Sequence, residues 1–198
     1  MRFVLTTLTL ALILATTSTW AEWKMLPDKS HLSFVSIKKE HVAETHTFKS
    51  LQGSVDDAGI GKVTVDLASV DTRIESRDKQ LRETLFQIKE RPTAVYTVGL
   101  DDTTVTRISE LPAGDQLTIT LDGELSLHGA KQPLSADVIV TKSGVNRVQV
   151  ASARPVVVQA EKFGLVQGIN KLAEVAGLSS ISYAVPVSFV LTFDVLTP

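Results

Sequence analysis

Residues 117–127 read Leu-Thr-Ile-Thr-Leu-Asp-Gly-Glu-Leu-Ser-Leu, and this stretch decides the fold. Leu117, Ile119, Leu121, Leu125 and Leu127 fall at every second position, with Thr118, Thr120, Asp122, Glu124 and Ser126 between them. Successive side chains of a strand point to opposite faces, so this period of two sends one apolar set to one side. Gly123 stands where an apolar residue is expected, which predicts a bulge or bend. Residues 185–195 repeat the pattern with Val185, Val187, Phe189, Leu191, Phe193 and Val195. Shorter alternations occur at Leu32/Phe34, Val63/Val65/Leu67 and Leu134/Ala136/Val138/Val140. Runs 48–55, 93–100, 103–108 and 147–158 also read as strands.

Two stretches break the period. Ser76–Phe86 is charged, with Leu81 and Leu85 one helical turn apart, Ser76 as the expected N-cap and Pro92 beyond the end. Gly168–Gly177 puts Leu172, Val175 and Ala176 on one face, with Gly177 as a stop. The reading is an all-β domain with two short helices. Long antiparallel strands leave unpaired edges unless the sheet closes, and eight or more strands in one chain of this size favour a barrel or a sandwich. Eleven residues span about 36 Å, long for a small sandwich and suited to an extended antiparallel β-barrel of about eight strands.

Composition narrows the function. The 198 residues are 43% hydrophobic and 21% charged, enough apolar material for a core. Twenty Lys and Arg face 22 Asp and Glu, so the basic face of a nucleic-acid binder is not expected. Cysteine is absent, which excludes disulfides, thiolate metal sites and a cysteine nucleophile. Arg2, the apolar run Phe3–Ala15 and the small residues ending at Ala21 read as a secretory signal peptide over 1–21. The mature domain is then 22–198, exported to a periplasm, with no later apolar run long enough for stable membrane insertion.

Short segments in order along the chain carry a resemblance. Ser69-Val70-Asp71-Thr72, then Arg77-Asp78, Leu81-Arg82, Phe86 and Pro92, is one. Gly123–Gly129 followed by Pro133 is a second; Thr47–Gly53 and Lys162-Phe163-Gly164 are the others. Together they resemble the YceI-like proteins across roughly 23–195. The resemblance implies a lipocalin-like barrel that binds a polyisoprenoid, such as a prenyl phosphate or an isoprenoid quinone, and carries no catalysis. It implies no cofactor beyond that bound lipid. It leaves the oligomeric state open, a homodimer included. The chain departs from the family pattern at His46, before Phe48, and at Ala160-Glu161-Lys162.

A barrel of this kind needs only unreactive apolar side chains inside. The candidates for a hydrophobic cavity are Leu117, Ile119, Leu121, Leu125 and Leu127 on one strand and Val187, Phe189, Leu191 and Phe193 on the other. Phe34, Phe48, Leu85, Phe86 and Phe163 are candidates for its ends. Arg77 and Arg82 are candidate head-group contacts, because a planar guanidinium suits phosphate. The competing expectation for Arg77, Asp78 and Arg82 is an internal ion pair that anchors the helix near Asp71.

Two other functions are weighed. Glu40–His46 holds His41, Glu44 and His46, the one cluster resembling a metal site of a periplasmic metal-dependent enzyme. Its spacing misses the helical H-x-x-E-H order by one residue, so a solvated loop is the simpler reading. A stress-related envelope interaction domain with a filled barrel is the other. His128 is expected in a turn and His31 exposed at a strand start.

Overall fold

The structure, a computed structural model, describes residues 22–196. The expected signal peptide therefore lies outside the described residues. Among the described residues twelve strands run in sequence: β1 (Trp23–Met25), β2 (His31–Lys38), β3 (Val42–Phe48), β4 (Leu51–Val55), β5 (Ile60–Asp66), β6 (Val70–Asp71), β7 (Thr93–Gly99), β8 (Gln116–Leu127), β9 (Ala130–Gly144), β10 (Arg147–Ser152), β11 (Val156–Gln159) and β12 (Ala184–Val195). Short breaks split several of them, so β1 with β2, β3 with β4, β5 with β6 and β10 with β11 each form one bent rib. Each rib pairs antiparallel with the next, and β12 returns to β1 through Trp23↔Val195 and to β2 through Phe34↔Val187. The result is a closed eight-ribbed antiparallel barrel, lipocalin-like in form. Closure removes the sheet edges that such long strands would otherwise expose.

The alternating stretches are the longest strands. β8 pairs with β9 without a register shift from Gln116↔Thr141 to Leu127↔Ala130. Gly123 lies inside that ladder, so it is not a bulge. A Cβ there would come within 2.5 Å of the Tyr96 ring and hydroxyl, and glycine is what lets Tyr96 cross the strand.

Among the described residues there are three α-helices, not two. α1 (Glu75–Gln80) passes into a π-helical turn, Leu81–Leu85, closed by the Phe86 N–H on the Leu81 carbonyl at 2.9 Å. Its N-cap position is Ile74 and not Ser76; the Ile74 carbonyl accepts the Arg77 and Asp78 N–H groups. α3 (Val166–Val175) matches the second expected helix, with Gly177 beyond it at φ 61°. The unexpected helix is α2 (Asp102–Ser109), in the run read as a strand. Thr103, Thr104, Val105, Thr106 and Ile108 are strand formers by propensity. Asp101 overrides them: its carboxylate accepts the Thr104 N–H at 2.7 Å, and Ile108 is then buried three residues after Val105.

Two more runs differ from expectation. Run 48–55 breaks at Lys49-Ser50, whose N–H groups turn to Ser69. Run 147–158 breaks before Pro155, which has no N–H to give a ladder. Residues 42–46, expected in a loop, belong to β3, and the turn is confined to 39–41, with Lys39 and Glu40 at positive φ.

The connections sort to two ends. One end holds the β4–β5 and β9–β10 turns and α2. The other holds the β2–β3 and β8–β9 turns, α1 with its π-helical turn, and α3. A Cβ on Gly168 would meet the Leu85 Cα at 3.2 Å, so a glycine lets α3 sit directly on the π-helical turn.

Candidate functional site: an apolar cavity along the barrel

Inward-facing side chains do not meet at the axis. They enclose a cavity of about 280 Å³, close to the lower end of the roughly 300–1,000 Å³ usual for ligand sites. The surface facing it is hydrocarbon. It extends from Leu100 and Ile108 at the α2 end to Phe86, Leu165 and Ile169 at the other. Twelve-residue strands tilted as in small barrels place those ends about 30 Å apart.

The period of two explains the walls. On β8, Ile119, Leu121, Leu125 and Leu127 line the cavity; on β12, Val187, Phe189, Leu191 and Phe193 do. Phe34, Phe48, Leu85 and Phe86 also line it. The rings of Phe34 and Phe48 lie 5.3 Å apart and those of Phe48 and Phe86 5.9 Å apart, tilted to one another as aromatic pairs prefer.

Two candidates fall elsewhere. Leu117 packs against the core but lies past the cavity's end, two positions beyond Ile119. Phe163 is buried in the 3₁₀ turn Ala160–Phe163, where its carbonyl accepts from His128 Nδ1 at 3.2 Å. His128 sits in the β8–β9 turn at φ 53°, and Arg91 Nη1 donates to its Nε2 at 3.1 Å. That pair of contacts ties the β8–β9 turn to the 3₁₀ turn and to Arg91.

Other lining residues come from ribs whose patterns were read only as strands. Val63 and Val65 on β5, Tyr96 and Val98 on β7, Val150 on β10, and Val156 and Val158 on β11 all contribute. Of these, Tyr96 carries a hydroxyl. Its hydroxyl donates toward the Leu121 and Leu134 carbonyls at 3.0 and 3.1 Å, and burial pushes its pKa up to about 12. A phenol so placed stays protonated and turns its oxygen into the wall, leaving the ring edge for the cavity.

Neither candidate arginine lines the cavity. Arg77 Nε and Nη2 donate to the Thr72 hydroxyl and carbonyl at 2.9 and 2.8 Å, and Nη1 donates to Glu44 at 2.7 Å. Asp78, buried below, accepts the Thr72 N–H at 2.8 Å and the Thr72 hydroxyl at 2.5 Å. Arg82 pairs with Glu75 at 2.6 Å. This is the internal anchor, built on Thr72 beside Asp71. Asp71 itself pairs with Lys49 at 2.7 Å, and that ammonium holds its carboxyl below the usual range.

The His41, Glu44 and His46 cluster does not converge. His41 is exposed in the β2–β3 turn. Glu44 accepts from Lys38 at 2.9 Å and from Arg77, and these cations, Lys38 foremost, hold its carboxyl below the ordinary value. His46 is buried, with Nε2 2.9 Å from the Ser36 hydroxyl. Among the described residues no three His, Asp or Glu side chains are grouped to hold a metal ion.

The YceI-like domain family matches residues 23–193. The protein YceI of Salmonella newport is 31% identical over 148 residues, which cover 69% of this chain and 71% of that relative. A polyisoprenoid binding domain from Saccharophagus degradans, described as implicated in plant cell wall breakdown, superposes with a TM-score of 0.84 at 32% identity. The alignment covers 89% of this chain and 99% of that one. BcnA of Burkholderia cenocepacia has the same fold, with a TM-score of 0.63 at 22% identity over 85% of this chain and 98% of its own.

Proposed function

The chain belongs to the YceI-like family, and from that premise we propose that it binds, stores or carries one long isoprenoid lipid without chemically altering it. The observation that carries this reading is the hydrocarbon-walled cavity running most of the barrel's length. An exported protein and a free isoprenoid each face the same difficulty in water, an apolar surface with nothing to cover it. Enclosing one in the other removes both. Each buried CH₂-sized unit is worth about 0.8 kcal/mol. A tail of about forty carbons nominally exceeds the practical affinity ceiling near 20 kcal/mol, so ordering and imperfect fit offset much of it.

The Saccharophagus domain, similar over nearly its whole length, supports the polyisoprenoid class of ligand. The signal-peptide pattern of 1–21 supports a periplasmic location. The Tyr96 hydroxyl is spent on two carbonyls and the charged residues near α1 are spent on one another, which supports binding without a reaction.

Organic extraction of protein purified from envelope fractions, followed by mass spectrometry, tests the reading. A prenyl lipid in the extract is expected. Its absence, together with no thermal stabilisation by added prenyl ligands, overturns it.

A further inference from the structure

A stretch of the barrel wall is held by side chains and not by a backbone ladder. β9 pairs with β10 as far as Val138↔Ser152, and the Ala153 N–H adds a last bond to the Asp137 carbonyl at 2.9 Å. There the chain bends, and β11 pairs with β12 but not with β9, although the two strands come within 8 Å at Cα. The resulting seam runs beside residues 130–136 of β9, a length of about 20 Å at the rise of a strand. Its two ends are tied. Arg154 Nη2 meets Asp137 Oδ2 at 2.6 Å at one, and His128 Nδ1 lies 3.2 Å from the Phe163 carbonyl oxygen at the other.

Prolines keep the seam from closing. On the register of Val138↔Ser152, the residues that would next exchange bonds across it are Ser135 with Pro155 and Pro133 with Val157. Such a pair exchanges two N–H donors, and proline has none, so each pair lacks half its bonds. The same prolines make these edges poor templates for a strand from another chain.

Both lips of the seam face the cavity. Leu134 and Ala136 on β9 line it, and so do Val156 and Val158 on β11. On the outer side Val157 is 45% exposed, and Pro133 and Pro155 are exposed as well. Apolar surface therefore continues through the wall here, from solvent to interior. The ends of the barrel are plugged instead, by the buried Trp23 and Ile108 at one and by the buried Phe86, Leu165 and Ile169 at the other.

We propose that the seam between β9 and β11 is the portal through which the isoprenoid enters and leaves, its tail passing sideways into the barrel rather than threading from an end. This rests on the isoprenoid-binding reading above and adds the route. Parting these lips breaks apolar contacts, which the tail replaces as it passes. Parting any laddered stretch of the wall breaks backbone hydrogen bonds, which a hydrocarbon cannot replace.

The chain has no cysteine, so introduced thiols are the only ones present. Pro133→Cys with Val157→Cys places one on each lip, outside the cavity. A short bis-methanethiosulfonate bridges them, and reductant removes the bridge. Thr64→Cys with Val95→Cys, a paired position on the outer face of the β5–β7 ladder, is the control. A second seam pair, Ser135→Cys with Pro155→Cys, stands in if the first does not fold or bridge, with circular dichroism to verify folding. The probes are an isoprenoid quinone and a prenyl monophosphate, each delivered from phosphatidylcholine vesicles.

Bridging the seam should slow loading and release at least about tenfold, as closing a gate does. Reductant should restore both rates, and protein loaded before bridging should keep its lipid. The control bridge should change neither rate. Loading of the bridged seam at the unbridged rate, or equal slowing by the control, overturns the portal and leaves isoprenoid binding standing. Failure of both probes to bind the wild type and the reduced variants overturns the isoprenoid reading itself.

Discussion

Tyr96 lies across Gly123: its hydroxyl reaches over β8 toward the Leu121 carbonyl and on to Leu134 of β9, through space that any side chain at 123 would fill. Gly123→Ala should therefore lower stability by about 1–3 kcal/mol, the range for forced overpacking. Tyr96→Phe, which keeps the ring and deletes the bonds, should lower it by about 1 kcal/mol. Chemical denaturation reads both. In the double variant the effects should fall short of additive, since the first substitution already displaces the hydroxyl.

The Thr72–Asp78 contact predicts a larger loss on the helical side. Asp78→Ala leaves a buried N–H without its acceptor and should cost about 2–3 kcal/mol. Asp78→Asn retains an acceptor oxygen and should cost less. Ligand affinity should change little in Asp78→Asn, because this anchor does not line the cavity. Thermal melts with and without ligand separate the two effects.

His46 predicts a pH dependence. Its folded-state pKa lies below the ordinary value of 6.5, with Arg77, Arg73, Glu44 and Asp78 the charged groups acting on it. The unfolded chain therefore takes up the proton first. Stability contributed by the neutral ring is complete above about pH 6.5 and declines as pH falls below it toward the folded-state value. His46→Phe should flatten that decline. Both proteins should lose further stability at lower pH, where Glu44, Asp71 and Asp194, whose carboxyls are held low in the fold, become protonated. Denaturation curves between pH 7 and 4 test the difference.

Ala136 stands opposite Leu121 and lines the cavity. In a filled core, Ala136→Phe would be destabilising by about 1–3 kcal/mol. In a cavity it has room, so the melting temperature should hold or rise while isoprenoid affinity falls at least about tenfold. A marked loss of stability would mean that the interior is already packed.

Much of this fold is legible in the sequence because the longest ribs are built on period-two alternation, which survives any tertiary context that buries one face. Residues 117–127 and 185–195 are such ribs. Residues 102–109 are not legible by the same rule: their β-branched composition argues for a strand, and only the Asp101 cap and the Val105–Ile108 spacing argue for the helix. The cavity is legible only in part. Alternation identifies which side chains turn inward, as for Ile119 and Phe189, but not how far apart opposite walls stand, nor where the cavity ends relative to Leu117. Arg77 shows the reverse limit. Its charge suggests a ligand, but its partners, Thr72 five residues back and Glu44 on β3, become visible only when the strands are brought together. His46 reads in sequence as part of a solvated loop with His41, with a metal site as the alternative, yet pairing with Phe34 turns it to the inner face while His41 stays in the turn.

Native mass spectrometry of the wild-type protein loaded with an isoprenoid, beside Ala136→Phe under the same conditions, tests the enclosed-lipid account most directly. The account predicts one lipid mass per chain in the wild type and a largely empty Ala136→Phe. A wild type that stays at its bare mass at every lipid concentration, or that carries the same ladder of adducts as the variant, would contradict it.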